Sequence, residues 1–187
     1  ETKGAANGVL GAQATRGSVD NASVSITKST VTGDVMGGAS GWNVTTDLPT
    51  VVKTGLSATN NTVAISGESA VKGTVTGGMA VYGDATGNTV TISDKATIGN
   101  LVNEGKDNVG GVIGGSVAKK GNANDNAVTI KDQMKVQGAF VIGGMTAEGE
   151  ANRNRVTIDG NSAASSSIMG NIVGGTSGKG EASHNIV

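Results

Sequence analysis

The chain has 187 residues, with 14 Lys and Arg against 15 Asp and Glu, so a formal net charge of −1 argues against nucleic-acid partners. The absence of Cys excludes a disulfide scaffold and thiolate metal sites. Gly occurs 32 times, whereas Trp, Tyr and Phe occur once each, so the core must consist of aliphatic side chains joined by many turns.

Three short motifs appear in the first part of the chain. "NASVSI" at 21–26 is an imperfect copy of Asn-x-Val-x-Ile with one extra residue, and "TVTG" at 30–33 has the form x-Val-x-Gly. "VMGG" at 35–38 ends in a Gly pair, and "VLGA" at 9–12 is a weaker copy of it. Apolar and polar residues alternate in each motif, which predicts half-buried β-strands.

The same motifs then recur in the same order along the chain. The interval from Ile65 to Ile92 is 27 residues and that from Ile130 to Ile158 is 28, so the repeat is about 28 residues long. Two copies are longer by roughly ten residues. The recurring Asn residues are Asn61, Asn88, Asn126, Asn154 and, in a truncated copy, Asn185; the second glycines of the pairs are Gly38, Gly78, Gly115, Gly144 and Gly175.

This repeat predicts an all-β chain that coils on itself as a parallel β-helix, or β-solenoid. Each coil of about 28 residues would contribute three short strands, and roughly five to six coils would form a single domain over residues 1–187. A coil cannot bury its own apolar edge, but stacking places Val on Val and Ile on Ile in continuous rows. No stretch has a sustained 3.6-residue period, so almost no helix is expected.

The recurring Asn and Gly residues have predicted structural roles. Each Asn is expected at a corner, turned inward, where its amide can bond to the coils above and below, as in the Asn ladders of stacked strands. The Gly pairs are expected to supply a positive φ at a tight corner where a Cβ atom would clash.

Two insertions interrupt the repeat, at about residues 40–55 and 99–111, and such insertions commonly loop out on the binding side of a solenoid. The first insertion contains Trp42, and Tyr82 lies in a nearby repeat. These two aromatic residues are the predicted binding residues. The alternative is that Trp42 packs over the edge of a coil and shields it.

The sequence shows no set of residues typical of catalysis. His184 is the single His, and without Cys or a second His it assembles neither a zinc site nor a nucleophilic triad. We therefore expect no enzyme activity, no metal and no cofactor. Asp84, Glu148, Glu150 and Glu181 fall in equivalent turns, which is typical of a solvated face, although a paired-carboxylate enzyme acting on polysaccharides is the alternative.

The repeat resembles a known family. Asn-x-Val-x-Ile followed by Val-x-Gly-x-Val-x-Gly-Gly, with Gly-x-Ala-x-x-Asn between copies, is similar to the passenger repeats of bacterial autotransporter adhesins, over about residues 8–187. The resemblance implies a right-handed parallel β-helix and a location outside the cell or at the bacterial cell surface. A signal peptide and a membrane barrel are not seen in the sequence, so a passenger fragment is expected.

The predicted function is a non-enzymatic adhesin or structural rod that presents loops for adhesion or aggregation. Its partner would be a surface protein or a glycan of the host or of bacteria. No apolar run is long enough for a membrane-spanning helix. No polar cap is visible on the terminal repeats, so a filament subunit that stacks head to tail is an alternative.

Overall fold

We describe the chain from a computed structural model, which covers residues 5–41, 55–99, 110–132, 135–138, 140–159 and 167–187. None of these residues forms a helix, and every strand pairing among them is parallel. Strands of successive repeats lie next to each other in four sheets. The predicted fold class, an all-β parallel β-helix, is therefore confirmed.

Two sheets carry the longest strands. The Gly-pair sheet has six strands: Val9–Ala14, Val35–Ser40, Val75–Tyr82, Val112–Lys120, Phe140–Glu148 and Asn171–Lys179. The Val-x-Ile sheet has five: Ser23–Thr27, Thr62–Ser66, Thr89–Ile92, Ala127–Lys131 and Arg155–Asp159. We number the coils 1 to 6 by the strands of the Gly-pair sheet.

Two further sheets consist of two-residue strands. The short sheet contains Ala5–Ala6, Thr30–Val31, Ala70–Val71, Thr97–Ile98, Lys135–Val136 and Ser167–Ile168. The corner sheet contains Val19–Asp20, Ala58–Thr59 and Ala85–Thr86. The prediction of three strands per coil is thus incomplete, because coils 1 to 3 have a fourth strand at the corner. The corner strands lack the x-Val-x-Gly motif by which the equally short strands of the short sheet were predicted, so the sequence did not indicate them.

The core is a set of aliphatic rows that run along the stack. Val63, Val90 and Val128 are fully buried and pair in register, and Ile65, Ile92 and Ile130 do the same two residues later. Thr91 and Thr129 lie between them on the outer face, because side chains alternate across a strand. Burial of each Val or Ile contributes about 1.5–3 kcal/mol, so these rows are the main source of stability.

The recurring Asn residues form a hydrogen-bonded row, the Asn ladder, consisting of Asn61, Asn88, Asn126, Asn154 and Asn185. In each step, the side-chain Nδ2 and the backbone N–H both donate to Oδ1 of the Asn in the next coil, at 2.9–3.0 Å. Nδ2 also donates to a backbone carbonyl of the preceding coil, as Asn126 does to Ala85 at 2.8 Å. The buried amides of Asn61, Asn88, Asn126 and Asn154 are therefore satisfied from both sides.

The glycines of the pairs do not have the conformation that we expected. Gly38, Gly78, Gly115, Gly144 and Gly175 lie inside strands of the Gly-pair sheet and are not among the residues with positive φ. The predicted positive φ was therefore wrong. They are needed because each faces the ladder Asn of its own coil: a Cβ on Gly144 would overlap the side chain of Asn154.

Coil 1 replaces both members of this arrangement. Ser23 pairs with Thr62, so Ala22 occupies the ladder position, and its backbone N–H donates to Oδ1 of Asn61 at 2.9 Å. Asn21 is not a displaced ladder residue, since it has the positive φ of the turn, 58°, as Asn60 does at 54°. Ala12 pairs with Gly38, so this coil has Ala where the others have the second Gly. Coil 1 therefore has Ala at both positions, where the other coils have the ladder Asn and the second Gly of the pair.

Candidate binding surface

The two predicted binding residues have different outcomes. Trp42 and most of both predicted insertions, residues 42–54 and 100–109, lie outside the described residues. Tyr82 is half-buried at the end of the strand in coil 3, where it pairs with Lys120 of coil 4. Lys120 pairs in turn with Glu148, and Glu148 with Lys179. Tyr82 therefore begins a row of four large side chains, which we call the Tyr–Lys row.

Sequence reasoning found Tyr82 and Glu148 but not the Tyr–Lys row that contains them. A signal was present, because each of the four residues directly precedes the Gly of a Gly-x-Ala-x-x-Asn motif. Coil 4 obscures the alignment. Lys120 lies three positions after Val117, whereas in coil 5 Glu148 lies two positions after Thr146, the residue that pairs with Val117. This extra residue is a β-bulge, and it brings Lys119 and Lys120 together at the strand end.

A cleft with a volume of about 400 Å³ adjoins the row, and it is lined by Lys120, Gly121, Asn122, Glu148, Gly149 and Lys179. Its floor is glycine backbone, with φ of 145° at Gly121 and 140° at Gly149. A Cβ atom at either glycine would overlap a carbonyl of the preceding coil, that of Gly83 or Gly121. Because residues with side chains also rarely adopt those values of φ, both positions require glycine.

An ion pair joins coils 5 and 6 in the lining of the cleft. Lys179 Nζ lies 2.7 Å from Glu148 Oε1, and both side chains are largely exposed. The hydrogen bond and charge of Lys179, together with the charge of Lys120, lower the pKa of Glu148 below its ordinary value of 4.5. The same contact raises the pKa of Lys179. Glu148 is therefore ionised at neutral pH and its charge is largely engaged by Lys179.

We expect an NMR titration of the Glu148 carboxyl group to give a pKa below 4.5, and the Lys179→Ala variant to return it towards that value. Because the pKa is lower in the folded state, the pair stabilises the fold above the unfolded-state pKa, and this contribution is lost as the pH falls through the folded-state pKa. The Lys95→Ala variant, which removes the partner of Glu68, is the control. An unchanged Glu148 titration in Lys179→Ala would contradict the assignment.

The predicted row of acids is divided by the fold. Asp84, Asn122, Glu150 and Glu181 occupy equivalent turn positions in coils 3 to 6, whereas Glu148 lies in the Tyr–Lys row. Asp84 Oδ1 accepts the backbone N–H of Asn122 at 2.8 Å, and Glu150 Oε2 accepts from Asn152 Nδ2 at 3.0 Å. In the described part of the chain, no group of three or more His, Cys, Asp or Glu residues could hold a metal ion.

In the described ranges, no helix is long and apolar enough to cross a membrane. Comparisons of the chain with protein-family models, with curated proteins and with solved structures gave no match.

Proposed function

We propose that the chain is a non-enzymatic rod of a secreted or cell-surface protein, which presents side chains and loops to a partner for adhesion or aggregation. The observation that supports this is the division between inward and outward positions. Inward rows repeat one residue, as Val63, Val90 and Val128 do, whereas the outward Tyr–Lys row changes its residue and its charge from coil to coil. Such a stack keeps a fixed spacing while its surface varies.

The resemblance to autotransporter passenger repeats supports the same proposal. The motifs that carry it, Asn-x-Val-x-Ile and the Gly pair, are the residues that form the Asn ladder and the space beside it. We therefore propose a passenger-type segment exposed outside a bacterial cell. Its partner is a surface protein or glycan, which contacts the outward side chains and the inserted segments.

Beads coated with the purified chain are expected to attach to host or bacterial cells more than beads coated with an unrelated protein of similar charge. Replacing residues 42–54 by a Gly-Ser linker should reduce attachment if the first insertion carries the contact, and Trp42→Ala tests the aromatic residue alone. The linker retains Ser40, whose Oγ donates to the carbonyl of Gly17 at 2.7 Å. An equivalent replacement of residues 100–109 measures the contribution of the second insertion. Attachment no greater than that of the unrelated protein would contradict the proposal.

A further inference from the structure

The cleft beside the Tyr–Lys row has an excess of positive charge that its own residues do not neutralise. Its lining holds two Lys residues and one Glu, and the carboxylate of Glu148 is already paired with Lys179. Lys120 is close enough to lower the pKa of Glu148 but forms no ion pair within the described residues. Lys119, exposed on the adjacent bulge, adds a further positive charge.

Two other acids, Asp84 and Glu150, form hydrogen bonds in the adjoining turns and do not line the cleft. Asp84 bonds to the backbone of Asn122, and Glu150 bonds to the side chain of Asn152. Asn122 lines the cleft, and its Oδ1 accepts the backbone N–H of Glu150 at 2.9 Å. This bond fixes the Asn122 amide and leaves its Nδ2 as a donor for a hydroxyl or an anionic oxygen.

The cleft is lined by glycine backbone together with longer side chains. Gly121 and Gly149 are half-buried and carry no side chain, so a ligand can contact their backbone. Lys120 and Lys179 line the cleft, and the aliphatic stem of Lys120 can contact the C–H face of a sugar ring while its ammonium group reaches an anionic oxygen. A volume of about 400 Å³ is within the range of small-ligand sites, roughly 300–1,000 Å³.

We propose that this cleft binds an acidic sugar, with its carboxylate or sulfate group on Lys120 and its hydroxyl groups near Asn122. The inference rests on the proposed adhesive function and assigns it a ligand class. Lys120 supplies the charge, Glu148 and Lys179 continue the same row beside it, and the ring lies over the backbone of Gly121 and Gly149. A neutral sugar lacks the anionic oxygens that Lys120 recognises.

Calorimetry with a short sulfated oligosaccharide, a uronate-containing one of equal length and their neutral counterpart tests the site. The wild-type chain should bind at least one acidic probe and not the neutral one. Lys120→Glu should weaken binding by about tenfold or more, because a hydrogen bond to a charged group is lost and a repulsion is added. Lys135→Glu makes the same charge change on the short sheet, between Thr97 and Ser167, and should leave the affinity unchanged.

A second pair of variants tests the role of Glu148 and is expected to strengthen binding of the acidic probe. Glu148→Gln removes the carboxylate that engages Lys179, so the acidic probe should bind severalfold more tightly. Glu68→Gln removes the same charge from the Lys95 pair and should have no effect. Equal effects of Lys120→Glu and Lys135→Glu would show a response to net charge alone and would overturn the proposal.

The sugar site and the adhesive function fail separately. If coated beads attach to cells but neither acidic probe binds, the cleft proposal is wrong and the adhesive function stands. If the probes bind and the variants respond as expected but the beads do not attach, the site stands and the adhesive function falls. The sulfated and uronate probes distinguish the two sources of the anionic group.

Discussion

Replacing Asn126 with Ala is expected to lower the free energy of unfolding by about 3–5 kcal/mol. The substitution removes the donations from Asn126 to Asn154 and to the carbonyl of Ala85. It also removes the acceptor for the side chain and the backbone N–H of Asn88, which is fully buried. Unfolding in urea, followed by circular dichroism, measures the difference.

The matched control for this substitution is Asn171→Ala. Asn171 is exposed at the start of its strand, so the same change there should alter the free energy of unfolding by less than about 0.5 kcal/mol. If Asn126→Ala cost no more than Asn171→Ala, the Asn ladder would not stabilise the stack.

Replacing Gly144 with Ala is expected to lower the free energy of unfolding by about 3 kcal/mol. The added methyl group overlaps the side chain of Asn154, which is itself held by Asn126 and Asn185 and cannot move aside without breaking those bonds. The backbone at Gly144 does not require glycine, so the effect is one of space. The same urea unfolding experiment measures it.

A double-mutant cycle separates this effect from a general loss of packing. In Gly144→Ala with Asn154→Ala, the methyl group no longer meets an amide, so the combined loss should fall short of the sum of the single losses by about 1–3 kcal/mol. Coil 1 has this combination naturally, with Ala12 and Ala22 in the two positions. Additive losses would contradict the proposed contact.

Much of the fold could be predicted from the sequence because its signals are local and repeated. Val and Ile recur at the positions of Val90 and Ile92 in the neighbouring copies, and stacking these copies gives the register directly. The role of Gly144 was not readable in the same way. A sequence shows that glycine recurs, but it does not show whether the backbone angle or the absence of a side chain requires it.

The candidate site was harder to predict because it depends on positions that vary. The Tyr–Lys row changes residue type at every step, from Tyr82 through Lys120 and Glu148 to Lys179, and the bulge in coil 4 adds one residue before Lys120. The row residues of neighbouring coils therefore pair in the structure, although a constant repeat length does not align them in the sequence. Asn21 is misleading in another way. It matches the Asn of the motif by residue type, but Ala22 occupies the ladder position in the structure.

The Asn ladder makes the same contacts in coils 3 to 5. The side-chain amide of each of these Asn residues donates to one Oδ1 on the following coil and to one backbone carbonyl on the preceding coil. Asn88, Asn126 and Asn154 all form this pair of bonds. A gene rearrangement that duplicated or removed one whole copy would leave the remaining bonds intact. The number of coils could therefore change in steps of one without altering the bonds of the Asn ladder.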